Sequence, residues 1–133
     1  MKKLFRNGAI GSLAIGVMAV GMLAFPATMV AKGASVIHTG SCSASSDWKL
    51  KAKPDNGKLE VEFEVDQNVN GQVWNVKLKD NGSTFWHGVR TTQAPSGSFS
   101  VTKRTANNAG TDTITGRAVN QSTGEVCQGS LNI

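Results

Sequence analysis

The chain has 133 residues with 14 Lys and Arg against 9 Asp and Glu, a length that suits one domain and a leader. Lys2, Lys3 and Arg6 precede a long apolar run, and losing them with a leader leaves 11 basic against 9 acidic side chains, a net +2. That balance argues against a strongly basic nucleic-acid binder, and two Cys with two isolated His (His38, His87) argue against a zinc module and call for no cofactor.

From the N-terminus, the three cations, the apolar run from Ala9 to Phe25, the closing Pro26 and the small residues around Ala31 to Ser35 form the layout of a secretory signal peptide over residues 1–33. Cleavage is expected between about 31 and 35. The alternative is an uncleaved segment kept as a membrane anchor, against which Gly11, Gly16 and Gly21 dilute the run. The expected product is secreted, extracellular and monomeric. Residues 34–46 form an N-terminal segment carrying Cys42, and 47–133 the folded domain. In an exported chain Cys42 and Cys127 are expected to form a disulfide. Closing that loop is worth about 4.5 kcal/mol in the chain-entropy model.

Beyond Asp47 the pattern has a period of two. "DWKLKAK" sets Trp48, Leu50 and Ala52 opposite Lys49, Lys51 and Lys53, and "KLEVEFEVD" sets Leu59, Val61, Phe63 and Val65 opposite Glu60, Glu62 and Glu64. With Pro54-Asp55-Asn56-Gly57 as a four-residue loop, Lys51 meets Glu60, Lys49 meets Glu62, Trp48 meets Phe63 and Leu50 meets Val61. The evenly spaced glutamates, set beside lysines, then form a solvated charge ladder and not an acid/base pair.

Five further strands are expected at about Gln72 to Lys79, Thr84 to Thr92, Ser98 to Arg104, Thr111 to Asn120 and Glu125 to Ile133, separated by Asn, Gly, Pro and Ser turns. In the last hairpin a loop from Gln121 to Gly124 pairs Ala118 with Cys127, Gly116 with Gly129 and Ile114 with Leu131. The facing glycines leave room for an indole, with Trp74 as the expected occupant. Seven short strands with regular turns predict an all-β, seven-stranded antiparallel sandwich. Strands one, two and five form one sheet, and three, four, six and seven the other. The arrangement resembles immunoglobulin and fibronectin type III domains, although the chain has no Tyr for a tyrosine corner and its Cys pair does not join the second and sixth strands.

Several motifs, namely Cys42 with Asp47-Trp48, Trp74-x-Val76-x-Leu78 ahead of Asp80-Asn81-Gly82, Ala94-Pro95-Ser96-Gly97-Ser98-Phe99, Gly110-Thr111-Asp112 and Gly124-Glu125-Val126-Cys127, resemble uncharacterised small secreted proteins of actinobacteria. The resemblance covers Gly40 to Leu131. It implies export and a bridged β domain, and it names no activity.

The segment "DNGSTFWHGV" leaves two registers open. A two-residue turn at Asn81-Gly82 sets Leu78 against Phe85 and Val76 against His87, with Trp86 outside beside Lys77. A three-residue loop with Gly82 as a bulge sets Trp86 against Val76 and turns it inward. The first is preferred because Phe85 and Val89 then join one apolar face. No carboxylate or second His accompanies His87 at a recognisable spacing, and no nucleophile-elbow motif surrounds the serines. The chain is therefore read as a non-enzymatic binding or structural module. Its candidate binding face is Trp86, Lys77, Lys79, Arg90 and Arg117, suited to an anionic or carbohydrate cell-envelope polymer, with a solvated sheet bearing one stray Trp as the plainer alternative. A secreted protease inhibitor or small-molecule carrier, using Gln93-Ala94-Pro95-Ser96-Gly97 as its loop, is the other function considered.

Overall fold

Alternation with a period of two gives each long segment one apolar face, and such faces leave water only by meeting one another. The computed structural model describes residues 33–133; the leader expected over 1–33, apart from its last residue, lies outside them. Eight strands follow: β1 (Val36–Ser41), β2 (Asp47–Asp55), β3 (Lys58–Asp66), β4 (Val73–Asp80), β5 (Ser83–Thr91), β6 (Ser98–Ala106), β7 (Thr113–Asn120) and β8 (Val126–Asn132). They form two antiparallel sheets in the orders β1-β2-β3-β6 and β5-β4-β7-β8, packed as a sandwich. Among the described residues no helix is long and apolar enough to cross a membrane.

The seven expected strands partition between the sheets as the sequence pattern implies, and the correction is an eighth. The segment before Asp47 contains β1, which pairs along β2 from Val36↔Ala52 to Ser41↔Asp47. Its Gly, Ser and His residues hide the alternation that marks the other strands.

A second correction concerns the β2–β3 hairpin. The loop is the two-residue turn Asn56-Gly57, with φ of 51° and 80°, and Asp55 pairs with Lys58. Positive φ at both central residues is what a right-twisted hairpin demands, and Asn-Gly supplies it at low cost. Pro54 stays within the strand opposite Leu59, past the point where β1 begins to pair, so its missing N–H breaks no ladder. The register is displaced by two residues from the expected one, so Leu50 meets Phe63, Trp48 meets Val65, Lys51 meets Glu62 and Lys49 meets Glu64. An even displacement exchanges partners but not faces.

The β7–β8 hairpin has the expected register, with Ala118↔Cys127, Gly116↔Gly129 and Ile114↔Leu131. The space left by its glycines is filled from the opposite sheet, and not by Trp74. A Cβ on Gly116 would lie 2.8 Å from the Phe63 ring, and one on Gly129 would overlap the Trp48 ring. Trp74 is instead buried at one end of the sandwich, its ring centroid 6.1 Å from that of Phe99 and its Nε1 donating to Gln67 Oε1 at 3.0 Å. Burial of Phe63, Leu50, Leu59, Leu78 and Ile114 supplies the main driving force, about 1.5–3 kcal/mol for each such side chain.

The lateral edge formed by β1 and β8 is closed. The disulfide Cys42–Cys127 joins the two sheets there. Ser43 N–H donates to Val126 O at 2.8 Å, and Val126 N–H to Ser43 Oγ at 2.9 Å. Buried Glu125 accepts from the backbone N–H of Ala44 and Ser46 and from Ser46 Oγ, which fixes the loop between β1 and β2. Replacing Glu125 by an apolar residue would leave the Ala44 and Ser46 N–H groups without their acceptor, so the clamp is most sensitive at Glu125.

Candidate binding face

The β4–β5 hairpin decides which residues share a face. Its turn is the two-residue one, with Asp80↔Ser83 and Lys79↔Thr84, but the register then shifts and Leu78 pairs with Trp86. Phe85 is the extra residue of a β-bulge, and one extra residue inverts the parity of everything after it. The structure thus combines the turn of one expected register with the face of the other. Trp86 points inward, half-buried, and the expectation of an outside Trp86 is corrected.

The ring of Trp86 covers Gly88, where a Cβ would meet it at 2.6 Å. Arg90 Cζ lies 4.9 Å from the ring centroid and Lys103 Nζ, from β6 of the other sheet, lies 5.2 Å from it. Trp86 therefore seals the lateral edge between β5 and β6, with a cation from each sheet drawn to its π-face. Lys103 was not among the candidates; its inward parity in "SVTKRT" is the signal that places it there.

Lys77, Lys79 and Arg117 do share a face, the outer surface of the second sheet, and the five-residue candidate set is thereby divided between that face and the β5–β6 edge. Three rows of mutually paired residues cross the sheet. The middle row is His87, Lys77, Arg117 and Gln128, each the Cα partner of the next. On one side lies Val89, Asn75, Val119 and Val126, and on the other Thr84, Lys79, Thr115 and Ser130. A cationic stripe is flanked by a largely apolar stripe and a stripe dominated by hydroxyls, each about 6.8 Å away at two residues of strand rise.

Two shallow grooves run between these rows. One, of about 440 Å³, is lined by Asn75, Lys77, His87, Val89, Arg117 and Val119, together with Val76 and Gly88. The other, of about 350 Å³, is lined by Lys77, Lys79, Thr115, Arg117 and Gln128. Lys77 and Arg117 are common to both. Arg117 Nη1 donates to Gln128 Oε1 at 3.1 Å, which holds the guanidinium over the middle row, and Gln121 Nε2 donates to Asn75 Oδ1 at 2.9 Å.

Carboxylates are distributed very unevenly. Of the nine in the chain, Asp47, Asp55, Glu60, Glu62, Glu64 and Asp66 belong to the outer face of the first sheet, and Asp80, Asp112 and Glu125 are buried. Among the described residues none projects from the outer face of the second sheet. The three buried acids are structural groups; each lies in a motif quoted above, but strand alternation gave none of them a role. Asp112 accepts from Asn81 Nδ2, Asn108 Nδ2 and Asn108 N–H, and Asp80 accepts from Thr105 Oγ1, tying together the loops at one end of the sandwich.

His38 reaches across the closed edge, with Nδ1 2.8 Å from Ser130 O. His87 is exposed in the middle row, and among the described residues no group of three His, Cys, Asp or Glu side chains is placed to hold a metal ion. The loop from Gln93 to Gly97 is a tight internal turn. Gly97 N–H donates to Gln93 O at 2.8 Å, while Gly97 O accepts from Gln67 and Asn68.

No family model matches the chain, and no curated protein matches it. Among solved structures, wild-type OgpA from Akkermansia muciniphila is similar at 10% identity and a TM-score of 0.37, over 82% of this chain and 30% of that one. The chain spans less than a third of that protein, and a likeness of this degree carries no argument.

Proposed function

We propose that the protein is an exported, non-enzymatic binding module with an immunoglobulin-like sandwich, and that the outer face of its second sheet docks on an anionic polymer of the cell envelope. The observation that carries this reading is the cationic face: Lys77, Lys79 and Arg117 stand together over two grooves with, among the described residues, no acidic side chain beside them. A surface of one sign concentrates ligands of the other, and the effect is strongest in concave regions. The Cys42–Cys127 bridge supports an oxidising destination, as does the signal-like leader. With Trp86 committed to the β5–β6 edge, attraction of charge and not stacking on an exposed ring is the means of binding.

Co-sedimentation of the bridged protein with purified envelope polymer tests the reading. Binding is expected at low salt, weaker at high salt, and absent in Lys77→Glu/Arg117→Glu. Lys51→Glu, on the other sheet, should bind as the parent does. Absence of binding at low salt, or binding indifferent to the double reversal, sinks the proposal.

A further inference from the structure

Resting on the proposed envelope-binding face, we infer that its ligand is a sugar phosphodiester: a chain whose negative charge lies in the backbone, between two uncharged segments. The order of the rows is the basis. Lys77 and Arg117 face each other on adjacent strands, about 5 Å apart at Cα, and form a saddle between the two grooves. A chain crossing the rows meets Val89 and Val119 first, then the cationic saddle, then Lys79 and Thr115.

Each stretch of that path suits a different part of such a ligand. Val89 is 51% exposed, and a sugar ring presents a C–H face that covers it. The saddle offers a Lys ammonium and an Arg guanidinium, whose combined donors match the oxygens of a phosphate. Arg117 spends one donor on Gln128 and keeps the rest of its fork. Beyond the saddle, the hydroxyl of Thr115 and the ammonium of Lys79 provide partners for the hydroxyls of a polyol or second sugar.

Position of the charge separates a phosphodiester from other anions. Its neutral segments continue on both sides of the charge, so both grooves fill while the phosphate occupies the saddle. In a polyuronate every ring carries a carboxylate, so with one charge on the saddle the next ring brings another against Val89 and Val119, whereas a phosphodiester is charged only at its linkages. Asn75, held by Gln121, lies between Val89 and Val119 along the first groove, and Lys77 and Arg117 are the residues that line both grooves.

Binding of the bridged protein to a phosphodiester-linked mannan, to polygalacturonate and to unphosphorylated mannan tests the inference. The phosphodiester-linked mannan is expected to bind about tenfold more tightly than polygalacturonate, the difference made by one well-placed charged hydrogen bond, and unphosphorylated mannan should not bind. Lys77→Gln and Arg117→Gln should each lose about tenfold, Lys77→Arg should retain affinity, and Thr115→Val should weaken the phosphodiester chain alone. Polygalacturonate binding as tightly as the phosphodiester chain overturns the inference and leaves the anionic-polymer reading standing. If neither anionic polymer binds, or unphosphorylated mannan binds equally, both fall. Thermal melts identify any variant that fails to fold, and Lys77→Ala then replaces Lys77→Gln.

Discussion

On the outer face of β1-β2-β3-β6, Lys49, Lys51, Lys53, Lys58 and Arg104 are interleaved with six carboxylates; on the outer face of β5-β4-β7-β8, Lys77, Lys79 and Arg117 have none beside them among the described residues. The first face satisfies its charges internally, with Lys49–Glu64 at 3.4 Å, Lys53–Glu60 at 3.3 Å and Arg104–Asp55 at 3.2 Å. The second leaves Lys77 directly opposite Arg117, an arrangement that disfavours the folded state. A compensated face needs nothing from outside the chain. An uncompensated one must be balanced by counterions or by a ligand, and that asymmetry separates a plain solvated surface from a candidate site.

Breaking what the two faces share should produce the largest effect. Both depend on the core between them, and Phe63 spans it, with its ring against Gly116 of the other sheet. Phe63→Ala should cost about 3–5 kcal/mol in urea unfolding, since it removes the ring and opens a cavity that the glycine opposite cannot fill. A loss below about 1 kcal/mol would mean that the sheets do not pack through this contact.

The two lateral edges offer the next test. Replacing Cys42 and Cys127 together should lower stability by about 2–5 kcal/mol, because the bridge closes a loop of 85 residues. The fold should persist, as Glu125, Ser43 and Val126 still tie that edge by hydrogen bonds. An unfolded double variant would show that the bonds alone cannot hold it. At the opposite edge, Trp86→Ala should cost about 2 kcal/mol, less than a core aromatic because the ring is half-buried, with loss of its contacts to Arg90 and Lys103 contributing. A cost equal to that of Phe63→Ala would place the ring wholly in the core.

These two edges also mark where the sequence was legible. Alternation exposes faces, so the ladder of Lys49, Lys51 and Lys53 against the glutamates, and the outward parity of Lys77, Lys79 and Arg117, could be read directly. Turn chemistry placed Asn81-Gly82 correctly. The two-residue displacement of β2 against β3 escaped because an even slip leaves every face intact and so leaves no trace in the pattern. The bulge at Phe85 escaped for a related reason: an apolar residue fits either face of an edge strand, and both parities of "TFWHGV" are chemically acceptable until the neighbouring sheet supplies Lys103. The row from His87 to Gln128 depends on three registers at once, so the candidate residues were visible while their arrangement was not.

The smallest expected effect bears most directly on the difference between the faces, because its sign differs between them. Glu62 pairs with Lys51 across β2 and accepts from Ser100 Oγ at 3.2 Å, so Glu62→Gln removes a favourable charge and should lower stability by less than about 1 kcal/mol. Lys77 faces Arg117 on one side and His87 on the other, so Lys77→Gln removes a repulsive charge and should raise stability by a few tenths of a kcal/mol. Both changes should shrink toward zero in high salt, since the groups lie at the surface. Paired urea melts at low and high ionic strength read the two signs. Stabilisation by Lys77→Gln that salt abolishes would identify the second face as one that holds its cations together at a cost to folding. Destabilisation by Lys77→Gln would mean that the ammonium is already balanced within the chain, and the distinction between the two faces would fail.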